Sequence, residues 1–194
     1  MVDKVSKGAR RTLRLLCFHG YNTSKEVMEY QARQFSEVFD NVIDFKFINA
    51  PHEVPDDPPR SLLMRGFKAP FKSWMRIGEW RTNNLTGEKE HHEKNIVYGL
   101  EDSVRYVFEE MKQHGPYDGF LTFSQGSIFV RHMYRVMHDI DKKTYEKELE
   151  TTSFPQFLIS VAGLYFPYML IDYKGTQYPQ LSYTYPINSV HIYG

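Results

Sequence analysis

The chain is poor in the features that tie a protein to a special environment. Cys17 is the one cysteine among 194 residues. No internal disulfide framework is therefore available, and a reducing, cytoplasmic setting is expected. Cys17 sits inside an apolar run, which suits an inert core thiol. No apolar stretch is long enough to span a bilayer. Residues 1–11 carry Lys4, Lys7, Arg10 and Arg11 without an apolar run, so a solvated basic arm is expected and a secretory signal is not. Asp3 and the shortness of the arm argue against an organelle presequence. There is no excess of one charge, with 24 Lys plus Arg against 24 Asp plus Glu. Net charge gives no argument for a nucleic-acid or anionic-membrane partner. The first strand–helix turn has no G-x-G-x-x-G, which argues against a dinucleotide enzyme, and no cofactor is expected. Glu88, Glu90, His91, His92 and Glu93 form a metal-like run, but adjacent histidines point apart on a helix or strand, so a solvated loop is expected there.

What is present is a packed-domain composition. Aromatics make up 15% of the residues, and a chain of this length is expected to form one domain with its own core. Its organising stretch is Tyr117 to Phe129. Gly115-Pro116 ends the preceding element and Asp118-Gly119 turns a corner. Phe120 to Phe123 is a short strand-type run. After Gln125 the period changes, and Ile128, Phe129, His132, Met133, Val136 and Met137 recur at helical spacing. A serine between a buried strand and a helix, with glycine two residues on, has the form of a nucleophile elbow, here Thr122-Phe123-Ser124-Gln125-Gly126. Thr122 stands where G-x-S-x-G has its first glycine. The same residues also describe a helix capped by serine. On the pentapeptide alone both readings are open.

Leu13 to Phe18 reads as a strand, His19-Gly20-Tyr21-Asn22 as a loop, and Ser24 as the N-cap of a helix to about Phe39. Met28, Ala32, Phe35 and Phe39 form that helix's apolar stripe. Val42 to Ile48 is a second strand, completing a parallel βαβ unit. Residues 51–95 break the rhythm with Pro51, Pro55, Pro58, Pro59 and Pro70, and read as a lid-like insertion without regular structure. Trp74 is expected to pack the insertion onto the domain, while Trp80 is open between packing and lining a pocket. Ile96, Leu100, Val104, Val107, Phe108 and Met111 predict one amphipathic helix. Residues 139–153 read as a charged, solvated connection, 157–161 as a fourth parallel strand, 164–186 as a Tyr- and Pro-rich loop, and 189–193 as a fifth strand.

Three blocks, LRLLCFHGYN over 13–22, residues 99–127 ending KQHGPYDGFLTFSQGS, and the closing SVHIYG, together resemble the FSH family of serine hydrolases. The similarity is collinear over about residues 12–194 and includes Asn49-Ala50-Pro51. The resemblance implies an α/β-hydrolase-like fold with a mainly parallel sheet and helices on both faces. It implies Ser124 as nucleophile, an oxyanion hole from the backbone N–H groups of Gln125 and Tyr21, and His19, Gly20 and Gly126 as supporting loop residues. In that family the acid and the histidine follow the strand matching 189–193, so the C-terminal part of the fold is expected to be missing here. His132, two turns down the helix from Ser124 and roughly 12 Å away, cannot reach it. His191 reads as packed, and His19 is the one geometric candidate for a base. Two readings result. One is a serine esterase acting on a small ester with an apolar acyl group, its acid and base supplied from elsewhere. The other is an inactive hydrolase-derived subunit whose C-terminal sheet edge is covered by a protein partner.

Overall fold

The computed structural model describes residues 11–54, 56–78, 81–82, 89–90, 95–163, 169–179 and 187–192. Strand β1, Leu13–Phe18, alternates Leu15 and Cys17 on one face with Leu16 and Phe18 on the other, and all four are fully buried. Helix α1, Lys25–Phe39, starts at Ser24, whose hydroxyl accepts from the Val27 amide. It lays Met28 and Phe35 toward β2, Ile43–Ile48, where Phe35 meets Phe45 edge-on.

The 51–95 stretch is less irregular than its prolines suggest. It holds β3, His52–Glu53, the single-turn helix α2, Arg60–Met64, then β4, Lys72–Ser73, and β5, Arg76–Ile77. Two further short strands, β6, Arg81–Thr82, and β7, Lys89–Glu90, pair with each other. The expected packing role of Trp74 is met, since the ring is fully buried. Trp80, Glu88 and His91 to Glu93 lie outside the described residues.

The helix predicted from Ile96 begins later. Residues 95–98 form strand β8, Asn95–Tyr98, and helix α3 is Leu100–His114. Gly99 separates them at φ 75°, a left-handed turn that disfavours any side chain. Ile96 shares the helical spacing by coincidence, because an apolar strand residue four positions before Leu100 fits the same template. The first turn of α3 carries Glu101 and Asp102 and the last Lys112 and His114, both complementary to the helix dipole.

Strand β9, Gly119–Phe123, runs into α4, Gln125–Arg135, which continues through a π-turn over Val136–Ile140. The expected charged connection is in fact helix α5, Lys142–Thr151. Its charges are on the outside as expected, but Tyr145 is buried and packs at a tilt against Phe108, which anchors it. Strand β10, Phe157–Val161, follows. The expected loop 164–186 contains a hairpin instead, β11, Met169–Tyr173, and β12, Thr176–Pro179. Lys174 and Gly175 make its tight turn, both at positive φ. Strand β13 is Asn188–Ile192.

Five strands form the central sheet in the order β13-β10-β9-β1-β2, all parallel. Leu16, Phe18, Phe120 and Leu158 face α3, α4 and α5, while Leu15, Cys17 and Leu121 face Met28 of α1. Helices thus cover both faces, an α/β-hydrolase-like arrangement. A second sheet, β12-β11-β8-β5, joins the insertion to the hairpin. Ile171 and Tyr173 pack it into the main core. Burying a large apolar side chain contributes about 1.5–3 kcal/mol, so this sheet is an integral part of the domain.

Candidate active site

Strand β9 occupies the middle of the central sheet, and its C-terminal end delivers Ser124. Ser124 sits at φ 49° and ψ −113°, and its hydroxyl makes no cap bond to α4. That conformation is sterically costly for any residue with a Cβ. The backbone is held there by the Ser124 amide donating to the Val161 carbonyl of β10, 2.9 Å. The chain then reverses into α4 at Gly126, where a Cβ would fall 2.5 Å from the Phe18 carbonyl oxygen of β1. Only glycine permits the helix to lie that close to the sheet.

Thr122 is buried, with its hydroxyl 2.8 Å from that of Ser127 and donating at 3.3 Å to the Ile159 carbonyl. The side chain that breaks the usual motif therefore ties β9 to the first turn of α4 and to β10.

The loop after β1 lies against this turn. A Cβ on Gly20 would stand 3.4 Å from Ser124 Cβ and 3.4 Å from the Phe123 ring. Gly20 thus meets Ser124 at the C-terminal ends of the neighbouring parallel strands β1 and β9. His19 is fully buried and both its nitrogens are engaged. Nε2 accepts from the Ala50 amide at 3.0 Å, so the proton is on Nδ1, which donates to the Gly20 carbonyl at 2.7 Å. Burial lowers its pKa to about 4. A neutral imidazole with both edges committed to main chain is a brace for the loop and has no free nitrogen to act as a base.

Further ties run outward. Asn22, at φ 50°, donates from Nδ2 to the Asp57 carbonyl at 3.0 Å, and the Tyr21 hydroxyl donates to Asp56 at 2.5 Å. Partial burial and the Asp56 carboxylate push the Tyr21 phenol up to about 12.

The other described histidines are elsewhere. His132 is buried on α4, and burial holds its pKa down to about 3. His191 is exposed on β13, next to the Ser189 hydroxyl, which corrects the expectation of a packed residue. It is level with Thr122 two strands away, roughly 10 Å across the sheet. His52 donates from Nε2 to the Gly99 carbonyl at 2.7 Å, and His114 lies beside Glu110 at the end of α3. Among the described residues no group of three or more His, Cys, Asp or Glu could hold a metal ion. Nor is any described helix long and apolar enough to cross a membrane.

Sequence reasoning missed Trp74 and the side chain of Gln125 as parts of this site. The Gln125 carboxamide is buried, and its two polar atoms bond the main chain of Trp74 and Met75 across from α4. Trp74 signals only a large apolar residue in sequence, because nothing local tells which backbone group its indole N–H will meet.

Comparison with known proteins agrees with this architecture. Esterase GA18864 of Drosophila pseudoobscura pseudoobscura is 27% identical over 185 residues, covering 94% of this chain and 55% of its own length. Esterase OVCA2 of Danio rerio is 27% identical over 159 residues, covering 78% of this chain and 64% of its own. Esterase CG5412 of Drosophila melanogaster is 29% identical over 119 residues, 61% of this chain and 39% of its own. The chain spans about half the length of the curated relatives it matches. The model of the serine hydrolase (FSH1) family matches residues 9–194, and the chain belongs to that family.

Proposed function

We propose that this chain carries the nucleophile and the oxyanion hole of a carboxylic ester hydrolase. The observation that carries the reading is Ser124 itself, uncapped, at φ 49°, on the strand–helix turn, with Gly20 packed against it. A serine used only as a cap would turn its hydroxyl onto the helix amides; the Ser124 hydroxyl makes no such bond. The first amides of a helix have no partner within it and attract developing negative charge.

In the reaction, Ser124 Oγ attacks the ester carbonyl carbon, the carbonyl oxygen becomes an oxyanion, and the Gln125 and Tyr21 amides bind it. Collapse expels the alcohol and leaves an acyl-serine, which water then hydrolyses. Ser124 needs a base to take its proton. His19 is braced at both nitrogens and is not that base, so base and acid are assigned to groups outside the described residues. An ester is the substrate class, supported by relatives named esterases; the high aromatic content of the chain favours an apolar acyl group.

The test is labelling of the longest natural form with a fluorophosphonate, followed by peptide mass spectrometry. A phosphonyl adduct on the Ser124 peptide, absent from Ser124→Ala, is expected. No adduct on the wild-type protein would sink the assignment.

A second reading is a hydrolase-derived binding subunit. The observation in its favour is the edge strand β13, exposed throughout, with Val190 at 60% and Ile192 at 47%. A protein that runs as a monomer and binds nothing through this edge would count against it.

A further inference from the structure

The short segment between β4 and β5 joins the two halves of the proposed oxyanion hole through one residue. Trp74 is fully buried. Its indole N–H donates at 2.9 Å to the carbonyl of His19, the residue that leads into Gly20 and Tyr21. Its main-chain N–H donates at 2.9 Å to Gln125 Oε1, and Gln125 Nε2 returns a 2.9 Å bond to the Met75 carbonyl. Its own carbonyl accepts from Ser103 Oγ of α3 at 2.5 Å. The ring stacks on Phe129 of α4, with centroids 5.0 Å apart and planes 18° apart. It also packs on Phe18 at 5.0 Å and on the His19 ring at 5.4 Å.

Every polar group of Trp74 is therefore used, and each bond ends on a different element. One goes to the loop after β1, one to the first residue of α4 and one to α3. Packing alone would be met by phenylalanine. The indole is the apolar ring that also carries a donor at its edge. Gln125 matches it, because both atoms of its carboxamide are committed to the same segment and its backbone amide is one of the two proposed oxyanion donors. Such donors act only within about 2.7–3.1 Å of the forming oxyanion, and a loop such as His19–Asn22 does not hold that spacing without supports.

We propose that Trp74 is a positioning residue of this site, its indole N–H and main chain clamping the His19–Tyr21 loop against the N-terminus of α4 so that the Tyr21 and Gln125 amides converge on one oxygen. The catalytic consequence rests on the ester-hydrolase reading; the clamp is a matter of geometry and is tested separately from it.

Trp74→Phe removes the indole donor and keeps a ring against Phe129. Gln125→Met cuts the clamp from the other side with the tryptophan intact, and stands in should the first variant fail to fold. Wild type and both variants are titrated with a fluorophosphonate to separate the saturating labelling rate from the half-saturating concentration. The Tyr21 amide resonance is followed by 15N NMR, with the amides of α5 as reference. The expected result is a saturating rate lower by about tenfold or more. The half-saturating concentration should stay within about twofold, and the Tyr21 resonance should shift while α5 stays still. A packing role alone would lower the melting temperature and leave the saturating rate of the folded protein unchanged, and that outcome overturns the proposal. If wild type takes no label, the nucleophile reading has failed and the Tyr21 resonance decides. Movement in both variants supports the clamp, and an unmoved resonance overturns it.

Discussion

At the scale of single residues, the site holds its tension at Ser124. An L-residue at φ 49° and ψ −113° occupies a region that glycine enters freely. Strain of this kind costs on the order of 1–3 kcal/mol. Ser124→Gly should therefore raise stability, by about 1 kcal/mol after the entropy of the new glycine is subtracted. Urea unfolding checks this, and a lower midpoint in the glycine variant would contradict the strain account. Fluorophosphonate labelling should vanish in the same variant, so stability and function are set against each other at one position. Thr122 shows the opposite balance. It departs from the usual motif yet adds a buried hydroxyl pair with Ser127, and such a bond contributes about 0.5–1.5 kcal/mol.

At the scale of elements, the decisive distance is the approach of α4 to β1. An added methyl at 126 would meet the Phe18 carbonyl at 2.5 Å and the Phe18 Cβ at 2.8 Å. Backbone cannot yield as a flexible side chain can, so either the helix moves off the sheet or the turn opens. Gly126→Ala should destabilise the fold by about 2–3 kcal/mol. Because α4 carries the Gln125 amide, the variant should also label more slowly at Ser124 under conditions where it remains folded. Equilibrium unfolding and labelling on one preparation measure both; an alanine variant equal to wild type in both would show that the close approach is slack.

At the scale of the whole molecule, acid sensitivity follows from buried histidine. His19 and His132 have folded pKa values lowered from 6.5 to about 4 and about 3, in both cases chiefly by burial. The unfolded chain takes up protons near pH 6.5 that the folded chain refuses until pH 4 or below. Each neutral histidine therefore contributes stability that is complete above pH 6.5 and is lost as pH falls toward the folded values. By about pH 4.5 the loss is about 2–3 kcal/mol per histidine. For His19 the charge also breaks the acceptor bond from Ala50, so the loop beside Ser124 should loosen with it. Urea midpoints at about pH 7 and about pH 4.5 measure the effect; equal midpoints would show that burial does not hold the two histidines' folded pKa values below the unfolded one.

The sequence by itself determined the succession of the central elements, because their signals are local. The apolar run Leu15 to Phe18, a Ser24 cap, and the change to helical period after Gln125 each lie within a few residues. The turn at Ser124 was legible for the same reason. What the tertiary structure decided is whatever depends on a partner distant in the chain. Ile96 becomes a strand because β5 and β11 pair with β8 on its two sides. The polar helix α5 is held in place by Tyr145 against Phe108. His19 is a brace because the Ala50 amide arrives at its Nε2. Trp74 is a clamp because folding delivers the His19 carbonyl to its indole and Gln125 to its backbone. Periodicity reports which face of an element is apolar; the identity of a hydrogen-bond partner fifty residues away is set only when the layers close.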